Sequence, residues 1–275
     1  MSAPRVLALT VAYDGTRYVG WQRQQNGTSI QGLLEDALAP LAGGASPRVV
    51  GAGRTDAGVH ACGQVASCEL VTSLDVESIR RALNARLPED VRVWAVRDAG
   101  VHFHARHSAI GKTYLYYILN AESGHPMLRA CAWHVPQPLD VHRMNGAVRA
   151  VVGTHDFRAF QAAGSSVSTT RRTLWTAFAE VCDRPVHPWV ANGPPGGRLV
   201  TVGVAGDGFL RHMVRNLVGT LVEIGLGRRD ESSLGDVLAS GDRRLAGPTA
   251  PAHGLFLMSV DYRNPTGLHP PPLGE

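Results

Sequence analysis

The sequence predicts an α+β fold built on antiparallel, in part mixed, sheets flanked by helices. Three observations carry that expectation. Segments with strand alternation often follow one another directly, without the helix that a doubly wound parallel sheet needs between strands. Both halves of the chain run in the same order of helix, strand, strand, helix, strand. A chain of 275 residues with 44% hydrophobic content also has enough apolar surface for a large core, in one domain or two.

Arg5–Asp14 alternates apolar residues and ends at Asp14-Gly15, which reads as a strand. Thr28-Ser-Ile-Gln31 has the spacing of a capping box and should open a helix to about Leu41, closed by Gly43-Gly44. Short strands are expected at Arg48–Ala52 and Gln64–Val71, on either side of a glycine-rich loop. Asp75–Leu87 is amphipathic and stops at Pro88. Val91–Arg97 and Lys112–Asn120 read as strands, with His102, His104 and His107 between them. Glycine and nearby prolines mark 121–138 as the hinge between an N-terminal subdomain, 1–120, and a C-terminal one, 139–264. In the second half, Leu139–Val152, Phe209–Leu226 and Ser232–Ala239 read as helices, and Arg172–Val181, Arg198–Ala205 and Leu255–Tyr262 as strands. A long proline-rich loop spans Asp183–Gly197, and residues 265–275 form a mobile tail.

Composition narrows the function classes. No run of about 18 apolar residues occurs, so no membrane span is expected. The N-terminus alternates like a strand and lacks a small-residue cleavage site, which points to the cytoplasm. Cys62, Cys68, Cys131 and Cys182 form no CxxC pair, so a zinc ribbon or thioredoxin-like site is disfavoured. The histidines at 102, 104 and 107 have no acidic or thiol ligands nearby in sequence, so packing or RNA contact is expected and no metal. The formal charge is +4 and the pI about 9.1, which permits a nucleic-acid partner without demanding one. Lys112 is the only lysine among 27 basic residues. Arginine makes forked bonds to phosphate and stacks on bases, so this bias does not oppose RNA binding.

Residues 51–64, GAGRTDAGVHACGQ, concentrate the chemistry. The stretch misses the dinucleotide fingerprint, because Asp56 stands where the third glycine belongs and would repel a pyrophosphate. It also misses the phosphate-binding loop of nucleotide hydrolases, since Val59-His60 replaces the lysine and hydroxyl that bind phosphate and magnesium. No cofactor motif remains. An Asx-turn at Asp56 is the plain structural reading. Against it stand Arg54, Thr55 and His60, polar groups gathered in one tight loop at a strand end.

GRTDAGVHA at 53–61 resembles the signature of the tRNA pseudouridine synthase A family. Five further blocks agree in order: YDGTRYVGWQRQ at 13–24, FHARHSAIGKTYLYYI at 103–118, DFRAFQ at 156–161, GFLRHMVRN at 208–216 and APAHGLFL at 250–257. The resemblance implies two pseudouridine-synthase-type subdomains with the active-site cleft between their sheets, a homodimer, and isomerisation of uridine at nucleotides 38, 39 and 40 of the tRNA anticodon stem-loop. It makes Asp56 the nucleophile or base, Arg54 a holder of the target nucleotide, Tyr114 the ring that lies against the target base, and Arg215 the ion-pair partner of Asp56. Periodicity alone leaves Tyr116 as a rival, because Tyr114 and Tyr116 share one strand face and Tyr117 the other. Arg171, Arg172, Arg228 and Arg229 are expected phosphate contacts, with solvated surface an equal alternative.

The reaction breaks the C1′–N1 bond, turns the uracil and joins C1′ to C5, with no net oxidation or hydrolysis. A carboxylate serves it either by adding to C1′ or by removing a sugar proton to leave a glycal. Sequence reading leaves both routes open. Two competitors remain at this stage: an RNA-binding module without catalysis, and a glycoside or nucleoside hydrolase with a second carboxylate near Asp56.

Overall fold

A computed structural model of the chain describes residues 4–43, 47–164, 167–182 and 196–263. The fold divides into two units. One comprises the residues up to Lys112 together with those from Phe256 onward, and the other runs from Thr113 to Leu255.

In the first unit β1 (Arg5–Tyr13) lies between β3 (His60–Leu70) and β4 (Val91–Ala99), antiparallel to both. β2 (Val50–Gly51) adds antiparallel to β3. β10 (Leu255–Tyr262) adds parallel to β3, with Phe256 opposite His60. Alternation explains the burial: Leu7, Leu9 and Val11 are fully buried on one face of β1. α1 (Ile30–Leu38) and α2 (Val76–Asn84) contribute Ile30, Leu34, Leu38, Ile79 and Leu83, all fully buried, each stabilising the unit by about 1.5–3 kcal/mol.

The cap of α1 falls one residue later than the capping-box spacing suggests. Ser29, not Thr28, accepts the N–H of Gly32. Gln31 cannot reach back to complete a box, because its carboxamide is buried and donates to Glu35 at 2.9 Å. Glu35 is itself buried, and its charge is compensated by Arg23, by Gln31 and by the Val49 N–H. α2 is capped by Asp75. At its other end the Asn84 side chain donates to the Val93 carbonyl and accepts the Val93 N–H, both at 2.8 Å. That carboxamide stands in for a neighbouring strand at the outer edge of β4.

In the second unit the strand order is β5 (Ala109–Asn120), β9 (Arg198–Gly206), β8 (Arg171–Val181), β7 (Gly153–Asp156). β6 (Trp133–Val135) pairs parallel with the end of β5. β6 and β7 escape sequence reading because three or four residues are too few to show alternation. α3 (Val141–Val148) accepts the Ala179 N–H on its Asn145 side chain at 3.1 Å. This covers the part of β8 that lies beyond its pairing with β7. α4 (Met213–Gly225) is apolar and buried nearly all round. It begins at Met213 rather than Phe209 because His212 adopts a left-handed backbone, φ 60°, which interrupts the helical path. α5 (Ser233–Ser240) follows.

The α+β class expected from sequence is the class observed. Among the described residues no helix is long and apolar enough to cross a membrane. The proline-rich stretch 183–195 and the tail from 264 lie outside the described residues.

Candidate active site

The loop between β2 and β3 is fixed from several directions. Ala52 N–H donates to the Val65 carbonyl at 2.7 Å. The Gly53 carbonyl accepts from Gln64 Nε2 at 2.9 Å. Thr55 is 7% exposed. Its hydroxyl meets the Tyr13 hydroxyl at 2.8 Å, and its carbonyl accepts the Trp21 N–H at 3.1 Å. The Asp56 carbonyl then accepts the Val59 N–H, closing a turn whose third residue, Gly58, has φ +78° and so favours glycine. With Thr55 held inward, Arg54 is exposed and Asp56 half-buried. A strand, not a helix, follows, as the failed dinucleotide fingerprint implies.

The sequence block at 13–24 is the other half of this object. Gly20 has φ +99°, and a Cβ there would lie 2.5 Å from the Thr55 carbonyl oxygen and 3.0 Å from the Asp56 carbonyl carbon. Tyr18 donates from its hydroxyl to Asp90, and the Tyr18 carbonyl accepts the Gly58 N–H. Behind the loop, His60 is buried, accepts the Gly15 N–H on Nδ1 at 3.1 Å and stacks on Phe256 at 4.5 Å. Burial pushes the neighbouring Asp14 carboxyl up, but hydrogen bonds from Thr16 and the proximity of His60 outweigh it and hold it below its ordinary value.

Lys112, expected at the start of a strand, carries no site role in the sequence reading. Its stem passes Gly53 so closely that a Cβ there would lie 3.3 Å from Cε and 4.0 Å from Nζ. The one lysine of the chain therefore stands beside the Asp56 loop. The signal was available in the composition, where a lone lysine among arginines is conspicuous.

Tyr13 is fully enclosed. Burial pushes its hydroxyl up to about 12, with hydrogen bonds from Thr55 and Gln64 pulling the other way. The sign follows: a group whose folded value lies above its unfolded value of 10 binds its proton more tightly in the native state. The stability it supports is present below pH 10 and is lost as the pH rises toward 12. The difference in denaturant midpoint between the wild type and Tyr13→Phe should be flat up to pH 10 and decline above it.

In the second unit Tyr114 is 7% exposed, and its ring meets Phe209 edge to face at 4.9 Å. Tyr116, the rival on the same face, is fully buried and donates its hydroxyl to the Pro251 carbonyl at 2.8 Å. Arg215 donates from Nε to the Ala250 carbonyl at 2.7 Å, and its own carbonyl accepts the Ala250 N–H. The next residue, Asn216, is fully buried. It donates to the Phe160 carbonyl and accepts from Arg243 and Thr249. Three of the sequence blocks, at 156–161, 208–216 and 250–257, thus converge on one strap tied to α4. That strap fixes the guanidinium of Arg215 at its Nε end.

The outlying arginines differ among themselves. Arg171 is exposed. Arg172 donates from one terminal nitrogen to the carbonyls of Thr169 and Arg171. Arg228 is exposed, whereas Arg229 pairs with Glu223 and donates to the Leu245 carbonyl. The histidine segment is a self-capped turn: His104 Nδ1 accepts the N–H groups of Arg106 and His107, and the rings of His104 and His107 stack at 4.0 Å. Burial, followed by the neighbouring His107 charge, lowers the His104 value.

A family model described as tRNA pseudouridine synthase matches residues 9–108 and 147–263. A tRNA pseudouridine synthase A of Syntrophotalea carbinolica is 45% identical over 260 residues, 94% of this chain and 96% of that one. One from Chloroflexus aurantiacus is 45% identical over 96% of this chain and 90% of its own length. One from Geobacillus kaustophilus is 42% identical over 94% of this chain and 95% of its own. The family match covers both the braced loop around Asp56 and the helix that carries Arg215, and on that breadth the chain belongs to the tRNA pseudouridine synthase family.

Proposed function

We propose that this chain isomerises uridine to pseudouridine in the anticodon stem-loop of tRNA, at nucleotides 38, 39 and 40, and that Asp56 acts on the ribose. The observation that carries the reading is local. A carboxylate sits half-exposed on a turn whose neighbours on both sides are bonded to the body of the first unit. A rigidly held acid beside solvent suits work on a substrate better than closure of a turn, which the Asp56 carbonyl already provides.

The chemistry balances without a co-reactant. The C1′–N1 bond breaks and the C1′–C5 bond forms. The hydrogen at C5 leaves as a proton and N1 gains one. Asp56 as a carboxylate either adds to C1′ or removes a ribose proton. Arg215 is assigned the positive charge that favours that carboxylate, and its Nε bond to Ala250 supports a fixed orientation. Tyr114 is assigned to stack on the target base. Arg54, exposed next to Asp56, is assigned to hold the everted nucleotide. Arg171 and Arg172 are assigned to tRNA phosphates. A homodimer in the cytoplasm is part of the same reading. No step calls on a metal or an organic cofactor.

The test is incubation with unmodified tRNA carrying tritium at uridine C5. Release of tritium to water from intact tRNA, stoichiometric with pseudouridine formed, is the expected outcome, and sites mapped in the anticodon arm locate the target. Free uracil would instead indicate a hydrolase. Binding without tritium release would indicate an RNA-binding module.

A further inference from the structure

We infer that Tyr13 and Gln64 are positioning residues for the Asp56 carboxylate, gripping the loop from the two strands beneath it. The inference rests on the reading of Asp56 as the reacting group. Gln64 is fully buried on β3. Its Nε2 donates to the Gly53 carbonyl at 2.9 Å, three residues before Asp56. Among the described residues, its Oε1 is buried with no hydrogen-bond partner. The Gly53 carbonyl can only accept, so the carboxamide must face it with its NH2 end, and the oxygen is stranded on the other side.

A stranded buried carbonyl is a standing loss of stability. For folding alone, a methionine would fill the same volume without it. The glutamine makes sense if holding Gly53 in place matters more than that loss. Tyr13 follows the same pattern. Its ring is buried, and a phenylalanine would pack there equally well. Its hydroxyl instead bonds Thr55, the residue before Asp56. Val11 pairs with Gln64 and Tyr13 with Ala61 in the β1–β3 register, which sets the two polar ends side by side. One small polar patch in an apolar core therefore fixes both ends of Gly53–Thr55. At 0% and 4% exposure respectively, Gln64 and Tyr13 have no route to the substrate, so they act through the loop.

Residues kept for folding and residues kept for positioning respond differently to removal of the polar group. Gln64→Met and Tyr13→Phe, made in the full chain, should lower kcat on tRNA roughly ten- to a hundredfold. KM and the pH dependence of kcat should not move. The Tm of Gln64→Met should equal or exceed that of the wild type. Wild-type kcat in both variants would overturn the inference, as would a loss of kcat that merely tracks a loss of folded protein. Asp56→Ala measured alongside separates the two levels. If it stays active, the reading of Asp56 fails. If it is dead while Gln64→Met and Tyr13→Phe run at full rate, only the positioning role fails.

Discussion

Asp56→Ala is expected to reduce pseudouridine formation by at least about 10⁴-fold, the scale on which loss of a nucleophile or essential base is felt. Asp56→Asn should do nearly the same. It keeps the shape of the side chain and removes only the charge, so it separates chemistry from packing. Stability should change by no more than about 0.5 kcal/mol, because the side chain is half-exposed and the turn is closed by backbone. Affinity for tRNA should hold or rise, since a negative charge facing a polyanion has been removed. Tritium release, filter binding and thermal melting on the same preparations provide the three readouts. A wild-type rate in either variant would sink the assignment outright.

The second large effect is expected from Gly20→Ala, a change that touches no substrate. The new methyl would press on the Thr55 carbonyl oxygen at 2.5 Å and the Asp56 carbonyl carbon at 3.0 Å, and φ +99° is strained for alanine. These are backbone atoms that no rotamer change can relieve. The loop must move, the Trp21–Thr55 bond must stretch, and the carboxylate moves with them. A stability loss of about 1–3 kcal/mol is expected from the forced overlap, and a fall in kcat of about a hundredfold from the displacement. Gly43→Ala is the control: its φ is +65°, but nothing lies within 4 Å of the added methyl. It should cost only the backbone strain, about 1 kcal/mol, and leave the rate alone. Denaturant titration and single-turnover kinetics distinguish the two. Equal rates in both glycine variants would show that the cradle does not govern the loop.

Much of the first unit is legible in the residues themselves. The alternation of Leu7, Leu9 and Val11 and the amphipathic run that begins at Asp75 are local signals, and local signals survive folding, although that helix ends at Asn84 and not at Pro88. The Ser29 cap was displaced by one residue because Gln31 is claimed by the buried Glu35, a contact across one helical turn that spacing rules do not weigh. The start of α4 was missed because His212 takes a left-handed backbone that its residue type does not announce. At the candidate site, the glycine loop could be read directly, since its composition is unusual. The bracing could not. Tyr13 and Gln64 look like ordinary strand residues, and only the pairing of two distant strands puts them under the same loop. The same holds for the strap at 247–251, whose ties to Asn216 and Arg215 join segments more than thirty positions apart.

The carboxamides of Asn84 and Asn145 bear on behaviour in concentrated solution. An open sheet edge invites another chain to lie alongside and extend the ladder. At Val93 both backbone groups are already occupied by Asn84, and at Ala179 the amide is occupied by Asn145. An incoming strand would have to evict a side chain anchored on a helix before gaining its first bond at either position. Side-by-side stacking into fibrils is thereby discouraged at both positions.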